Sequence, residues 1–243
     1  MRDQQLLELQ QERLRLVVSA LGAPPADVVA ELHGRGLLIG SMCGKVQHAE
    51  RHLQAGVDMI VAQGTEAGGH TGDIATMVLV PQVVEVVAGR AAVLAAGGIV
   101  KGSQVAAALA LGAEGVWCGS LWLTTVESEL DAFEKDVMIA ARADDAVRRK
   151  ARTGKTVRML KSRMSEAWEA PGAPPYLPTP LQGILYNEAH ARVVRAKRKD
   201  LYSFPAGQAI GMPNELTSVR EVMYRLQVEY AATMERLAGL NGE

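Results

Sequence analysis

The first half of the chain alternates short apolar runs with longer segments in which apolar residues recur at helical spacing. The apolar runs predict β-strands at residues 14–20, 37–42, 57–62, 92–96 and 115–118. The segments between them predict helices at residues 24–33, 46–54, 77–88 and 103–111. Continuously apolar strands joined by helices are typical of a parallel sheet that is covered on both faces or closed into a barrel. The pattern therefore predicts an α/β fold.

The pattern changes after residue 127. Residues 131–151 and 157–168 have the periodicity of amphipathic helices, a proline-rich segment follows at residues 170–183, and two further helical stretches come after it. We therefore divide the chain into βα units at residues 1–126, which carry the functional site, and a C-terminal helical cap at residues 127–243. The proline-rich segment is interpreted as a stiff loop that crosses this cap.

Glycine-rich and polar residues cluster directly after the predicted strands, in SMCGK, QGTEAGGH, AGGIVKGS and CGS. Gly97-Gly98 and Gly119-Ser120 end consecutive strands, as in the phosphate sites that the last two strands of (β/α)8 barrels commonly build. Their backbone N–H groups and the Ser120 hydroxyl could hold a phosphate, with Lys101 nearby, or the glycines could serve only tight turns. Because no G-x-G-x-x-G opens a helix after a strand, we favour a (β/α)8 TIM-barrel type over a Rossmann sheet.

The barrel interpretation leaves strands unaccounted for. Five strands are predicted, whereas the barrel has eight, and the two glycine-rich ends would belong to its last two strands. We therefore expect a barrel that is incomplete at its N-terminus and exposes edge strands and apolar surface. A homo-oligomer could cover such an edge.

Charge and composition exclude several classes of function. The 26 basic and 27 acidic residues give a formal net charge of −1, which argues against a general nucleic-acid-binding protein. We interpret the basic run at residues 192–199 as a solvated helix face. The first 16 residues are charged throughout, no run is apolar enough for a membrane span, and only Cys43 and Cys118 are cysteines. Together these features predict a cytoplasmic protein with no membrane or nucleic-acid partner.

Several motifs in order resemble those of the nitronate monooxygenase family, whose members are FMN-dependent (β/α)8 enzymes. The motifs are GTEAGGHTGD at 64–73, LVPQVV at 79–84, VLAAGGIVKGSQVAAALALGAEGV at 93–116, CGSLWLTTVES at 118–128 and, more weakly, FPAGQAIGM at 204–212. The resemblance implies FMN-dependent oxidation of alkyl nitronates or nitroalkanes by O2 to carbonyl compounds and nitrite. The chain departs from the family in lacking its N-terminal third and in having Ser120 where threonine is usual.

The resemblance also implies roles for individual residues. The loop that contains Gly68 and Gly69 would lie against the flavin and the substrate, with His70 beside the reactive flavin atoms as the catalytic residue. Gln63, at a strand end, would hydrogen-bond the flavin ring, and Gln208 belongs to the late segment near the flavin. Alternatively, His70 and Gln63 could bond only to neighbouring backbone.

Four further polar residues have two interpretations each. Glu66 and Asp73 could form an acid/base pair or could stabilise the loop by accepting hydrogen bonds. His48 and His52 have the spacing of metal ligands on a helix, but without a third ligand we favour a solvated face and predict no metal.

Two other functions remain open on the sequence. Flavin-dependent enoyl or quinone reductases, which use NAD(P)H, share the barrel and a similar A-G-G-H loop. A truncated, non-catalytic barrel is the third alternative.

Overall fold

The part of the chain that the computed structural model describes, residues 14–20 and 22–240, contains two β-sheets and eight α-helices. The strands are β1 (Leu16–Ser19), β2 (Leu38–Cys43), β3 (Met59–Gln63), β4 (Gly69–His70), β5 (Ala92–Ala96), β6 (Gly115–Trp117), β7 (Ala146–Arg149) and β8 (Val157–Leu160). The helices are α1 (Ala26–Gly34), α2 (Val46–Ala55), α3 (Thr76–Val87), α4 (Gly102–Ala110), α5 (Ala132–Ala140), α6 (Arg163–Ala167), α7 (Leu181–Arg195) and α8 (Val219–Gly239). Short 3-10 helices lie at Ser120–Trp122, Ala143–Asp145 and Gln208–Gly211.

The first sheet is parallel and has the order β1-β2-β3-β5-β6. Its central strand β3 is apolar along its length, and Ile60, Val61 and Ala62 are fully buried because both faces of the sheet are covered. Apolar residues of α1, α2 and α3, among them Val29, Ala49 and Val83, belong to the same core. The five predicted strands and four predicted helices of this half are confirmed, with ends that differ by a few residues.

The sheet is open among the described residues, since β1 and β6 each pair on one side only. Trp117 on the edge strand β6 is 36% exposed, and Leu38, which begins β2 beside the edge strand β1, is 54% exposed. These exposed apolar side chains agree with the predicted open edges of the sheet. Whether a second copy covers them stays a prediction, and the charged segment at residues 1–13 lies outside the described residues.

The prediction of two helices at residues 131–151 and 157–168 was wrong in part. Helix α5 ends at Ala140, and β7 and β8 follow as a hairpin whose second strand also pairs antiparallel with β4. All four residues of β8 are buried, so its pairing and burial override the helical periodicity. Gly154, with φ +77°, supplies a left-handed conformation in the hairpin connection. The C-terminal part is therefore not purely helical, and the division at residue 126 stays a prediction.

The proline-rich segment and the two helical stretches after it are present, but α7 begins at Leu181, inside the predicted segment 170–183, and ends at Arg195, inside the basic run 192–199. Residues 170–180 contain no helix or strand, and α7 and α8 follow them. Helix α8 packs on α4, where the Gly102 N–H donates to Glu229 Oε2 at 2.8 Å. A side chain at position 102 would put its Cβ 2.3 Å from the Leu226 carbonyl oxygen, so glycine permits this close approach. None of the described helices is both long and apolar enough to cross a bilayer.

Candidate active site

A cavity of about 400 Å³ opens where β3, β5 and β6 end. Its lining includes eight of the nine residues that the sequence assigned to the site, namely Gln63, Gly68, Gly69, His70, Gly97, Gly98, Gly119 and Ser120. Small-molecule and cofactor sites commonly have volumes of about 300–1,000 Å³, so the cavity is large enough for a ligand of that class. These eight residues come from three separate segments at or after the ends of β3, β5 and β6, and the parallel strands bring these segments to one edge of the sheet.

The two glycine-rich strand ends contribute differently to this cavity. Gly97 and Gly98 have φ values of +114° and +72°, and a Cβ at Gly97 would lie 2.6 Å from Thr76 Oγ1, so local packing already requires this glycine. A Cβ at Gly119 would meet no atom within 4 Å, because it would project into open space. The Ser120 Oγ accepts a hydrogen bond from the Gly207 N–H at 2.7 Å and keeps its own hydrogen to donate to a ligand.

The glycine-rich loop after β3 packs backbone against backbone on the late FPAGQ segment. A Cβ at Gly68 would lie 2.7 Å from the Ala206 carbonyl carbon, and the Gln208 N–H donates to the Glu66 carbonyl oxygen at 2.8 Å. This segment lies at the cavity, but the Gln208 side chain is exposed and does not line it, so a role for Gln208 in cofactor binding stays a prediction. Its neighbours Gly207 and Ala209 line the cavity instead.

His70 is held by a residue that the sequence did not indicate. Its Nε2 lies 2.9 Å from Thr153 Oγ1 in the β7–β8 connection, and the Thr153 hydroxyl can donate to the Lys155 carbonyl oxygen at 3.2 Å. When it does so, Nε2 of His70 donates to Thr153, and Nδ1 keeps its unshared electron pair. Partial burial, with the positive charges of Lys155 and Arg152, lowers the pKa of His70, so the imidazole is neutral at neutral pH.

Gln63 ends β3 and lines the cavity with a free amide. Its side chain makes no hydrogen bond to any residue in the described part of the chain. Because an amide offers two donors and one acceptor, it can bind a ring that presents both N–H and C=O groups.

Glu66 and Asp73 make loop-stabilising contacts. The Glu66 carboxylate accepts from the Thr76 N–H at 3.0 Å and from Thr76 Oγ1 at 2.8 Å, at the positive end of α3. Asp73 forms an ion pair with Arg148, and that hydrogen bond lowers the pKa of the exposed Asp73 carboxyl. Neither carboxylate lines the 400 Å³ cavity, so the structure places neither beside His70 there as an acid/base pair.

The interpretation of His48 and His52 as a solvated pair was wrong for His52. His48 is exposed, but His52 is 1% exposed, with Nε2 at 3.1 Å from the Met42 carbonyl oxygen and 3.3 Å from Ser41 Oγ. The two side chains lie one turn apart on α2, but α2 packs on the sheet, so His52 is buried against β2 whereas His48 is exposed to solvent. Across residues 14–20 and 22–240, no three His, Cys, Asp or Glu side chains group together as metal ligands.

Two lining residues and one hydrogen-bond partner of His70 were not assigned to the site from the sequence. Trp117 and Cys118 line the cavity at the end of β6, and burial raises the pKa of the Cys118 thiol to about 11, so it stays protonated. Lys101 lies instead at a separate cavity of about 190 Å³ beside α8. Thr153 is 83 residues from His70 along the chain, and only the pairing of β4 with β8 brings the two together.

Comparison with known proteins agrees with this geometry. The family model described as nitronate monooxygenase matches residues 2–229. A Mycobacterium tuberculosis protein, provisionally named a monooxygenase, is 48% identical over 233 residues, which are 93% of this chain and 62% of that protein. The chain belongs to the nitronate monooxygenase family.

A further relative agrees in sequence, and a solved structure agrees in fold. A nitronate monooxygenase of Paraburkholderia phytofirmans is 32% identical over 240 residues, which are 93% of this chain and 64% of that protein. The structure of a nitroalkane oxidase from Streptomyces ansochromogenes superimposes with a TM-score of 0.85 at 29% identity, covering 97% of this chain and 70% of that one. The predicted α/β fold of the (β/α)8 barrel type is thereby confirmed. The chain spans less than two thirds of the length of these curated relatives, 62% and 64%, and the family is one of flavin-dependent oxidoreductases.

Proposed function

We propose that the chain binds FMN in the 400 Å³ cavity and oxidises alkyl nitronates with O2 to carbonyl compounds and nitrite. The observation that supports this proposal is the convergence of Gln63, His70 and the two glycine-rich strand ends on one cavity in a member of the nitronate monooxygenase family. The Gln63 amide suits the flavin ring, the neutral His70 suits proton removal from a substrate, and the backbone N–H groups of the strand ends suit the phosphate.

The residues around the cavity fit FMN. The backbone of Gly97, Gly98 and Gly119 can approach phosphate oxygens closely, and the free hydrogen of Ser120 Oγ can donate to one of them. The unpartnered Gln63 amide would bond the ring. When bound, FMN would supply the redox chemistry between substrate and oxygen.

His70 would orient the substrate and move its proton. The charges of Lys155 and Arg152, which lower the pKa of His70, also favour an anionic nitronate beside the ring. For a neutral nitroalkane, Nδ1 of the unprotonated imidazole would take the proton from the α-carbon, and the imidazolium would return it to solvent. The contact with Thr153 would keep the ring in the tautomer that this transfer requires.

The test is the visible absorption spectrum of the purified chain after FMN has been added and the excess removed. We expect retained flavin bands, nitrite formation and oxygen uptake on adding an alkyl nitronate. A folded chain that stays colourless would contradict the proposal and favour a non-catalytic fragment. Flavin reduction by NADH, but not by a nitronate, in the absence of oxygen would favour the reductase alternative.

A further inference from the structure

A second cavity of about 580 Å³ adjoins the first and shares Gln63 and His70 with it. We call it the basic cavity, because Lys45, Arg51, Arg148 and Lys155 line it, with Asp73 as the one carboxylate among the lining residues. It extends from His70 past the ends of β1 and β2 to the first turns of α2. A molecule that reacts beside His70 could therefore extend a second group into it.

The charge of this cavity differs from that of the chain as a whole. Four cationic side chains face one carboxylate, whereas basic and acidic residues balance over the full sequence. The cations act on common neighbours, since Arg148 and Lys45 both lower the pKa of Asp73, and Lys155 lowers that of His70. Lys45 also directly precedes α2, whose positive helix end adds to the potential.

Polar atoms that lack partners lie in the same wall. His52 Nδ1, Thr71 Oγ1 and Arg148 Nε are buried without a hydrogen-bond partner within the described chain, and all three residues line the basic cavity. His52 is 1% exposed, so solvent does not readily satisfy it. Buried polar groups without partners are uncommon in proteins. Because these three atoms have almost no accessible surface, they lie behind the cavity wall, and the case for an anionic ligand rests on the four cationic side chains that line the cavity.

We propose that the basic cavity binds a phosphate group carried by a molecule whose reacting end lies at His70. This proposal rests on the proposed function, because that function places the reaction at His70. A phosphate dianion suits a cavity with three surplus positive charges better than a single carboxylate does. The FMN phosphate would occupy the glycine-rich ends of β5 and β6, and Gly97, Gly98 and Gly119 do not line the basic cavity.

The test is calorimetric titration of methyl phosphate into the chain in saturating FMN, which keeps the glycine-rich site filled. We expect Lys45→Ala and Lys155→Ala each to weaken binding about tenfold, the value of one charge-assisted contact. Lys150→Ala is the matched control, since Lys150 lies in the same hairpin connection, is exposed and does not line the cavity, and it should bind as the parent does. Equal affinity in all four proteins, or no binding, would overturn the proposal.

Two further measurements distinguish a failure of the proposed function from a failure of the phosphate site, and identify the molecule that carries the phosphate. A chain that takes up no FMN but loses phosphate affinity in Lys45→Ala would sink the proposed function and leave the phosphate site standing. Titration with 2′,5′-ADP identifies the source of the phosphate. Binding that is tighter than that of methyl phosphate and sensitive to Lys155→Ala supports the site and assigns the phosphate to a nicotinamide dinucleotide, whereas binding no tighter assigns it to a phosphorylated substrate.

Discussion

At the scale of single residues, neighbouring side chains set the tautomer and the pKa of one imidazole, that of His70. Among the described residues, His70 has no carboxylate partner; Thr153 fixes its Nε2, and partial burial, together with two nearby cations, lowers its pKa. A neutral histidine with a free Nδ1 is a base, whereas a histidine paired with a carboxylate would be charged more readily. The chemistry of the site therefore follows from Thr153, Arg152 and Lys155 as much as from His70.

Replacing His70 by alanine tests the base directly. We expect kcat/KM for a neutral nitroalkane to fall by about 10²-fold or more, the usual worth of a positioned general base, and to fall less for a preformed nitronate. Steady-state oxygen uptake with both substrates measures the difference, and His33→Ala on α1, outside both cavities, is the control. An equal loss on both substrates would contradict proton removal by His70.

The lowered pKa of His70 predicts a pH dependence. Because only the unprotonated ring can accept a proton, kcat/KM for a nitroalkane should fall on acidification, with a midpoint below the ordinary histidine value of about 6.5. Removing a nearby positive charge in Lys155→Ala should move the midpoint upward. A midpoint that stays in place in this variant would show that the charge of Lys155 does not act on the ring.

Thr153 is expected to act as a positioning residue. Thr153→Val removes the hydroxyl that contacts His70 Nε2, and we expect a loss of about tenfold in kcat/KM, which corresponds to about 1.4 kcal/mol. Thr153→Ser should restore activity and the parental pH profile, because it restores the hydroxyl. Failure of the serine variant to do so, in a folded protein, would assign the loss to packing.

At the scale of elements, two glycines of the cavity differ in the space that surrounds their Cα atoms. Gly68 lies against the backbone of the FPAGQ segment, whereas Gly119 faces open space in the cavity. One therefore joins two loops, and the other leaves room for a ligand. From the sequence, the family resemblance implied close approach to the flavin for Gly68, and Gly119 was assigned to a phosphate site or, alternatively, to a tight turn.

Alanine substitutions should separate these two roles. Gly68→Ala would place a Cβ 2.7 Å from the Ala206 carbonyl carbon and should destabilise the fold by about 1–3 kcal/mol, the range for overpacking. Gly119→Ala should change stability by less than about 0.5 kcal/mol, since its φ of −116° suits alanine, while weakening FMN binding. Urea unfolding and flavin titration measure both. Equal stability of the two variants would refute the assignment.

At the scale of the whole molecule, one buried arginine joins the two sheets. Arg158 on β8 is 7% exposed, and it donates through Nε to the Thr65 carbonyl oxygen at 2.7 Å and through Nη1 to the Ala146 carbonyl oxygen at 2.6 Å. These bonds fix the small antiparallel sheet to the loop that leads to His70. The loop that carries His70 is thus supported from a part of the chain about 90 residues away.

Arg158→Met removes this link and keeps most of the side-chain volume. We expect a loss of about 2–3 kcal/mol in the free energy of unfolding, because two carbonyl oxygens lose a charged donor, and weaker FMN retention as the loop shifts. Arg163→Met, whose side chain is 73% exposed, should change neither quantity. Equal free energies of unfolding for the two variants would show that Arg158 does not join the two sheets.

The sequence by itself determined the parallel sheet, its four covering helices and the clustering of glycine-rich loops at the strand ends. Apolar periodicity is a local property, and parallel strands bring their C-terminal ends to one edge, so the strand-end glycines could be placed together without a structure, while the family resemblance supplied Gln63, Gly68, Gly69 and His70; all of these residues line the cavity. Only the tertiary structure decided the β7–β8 hairpin, the burial of His52, the exposure of Gln208 and the basic cavity. Each of these depends on contacts between distant segments, and pairing and burial there outweigh the local periodicity of the chain.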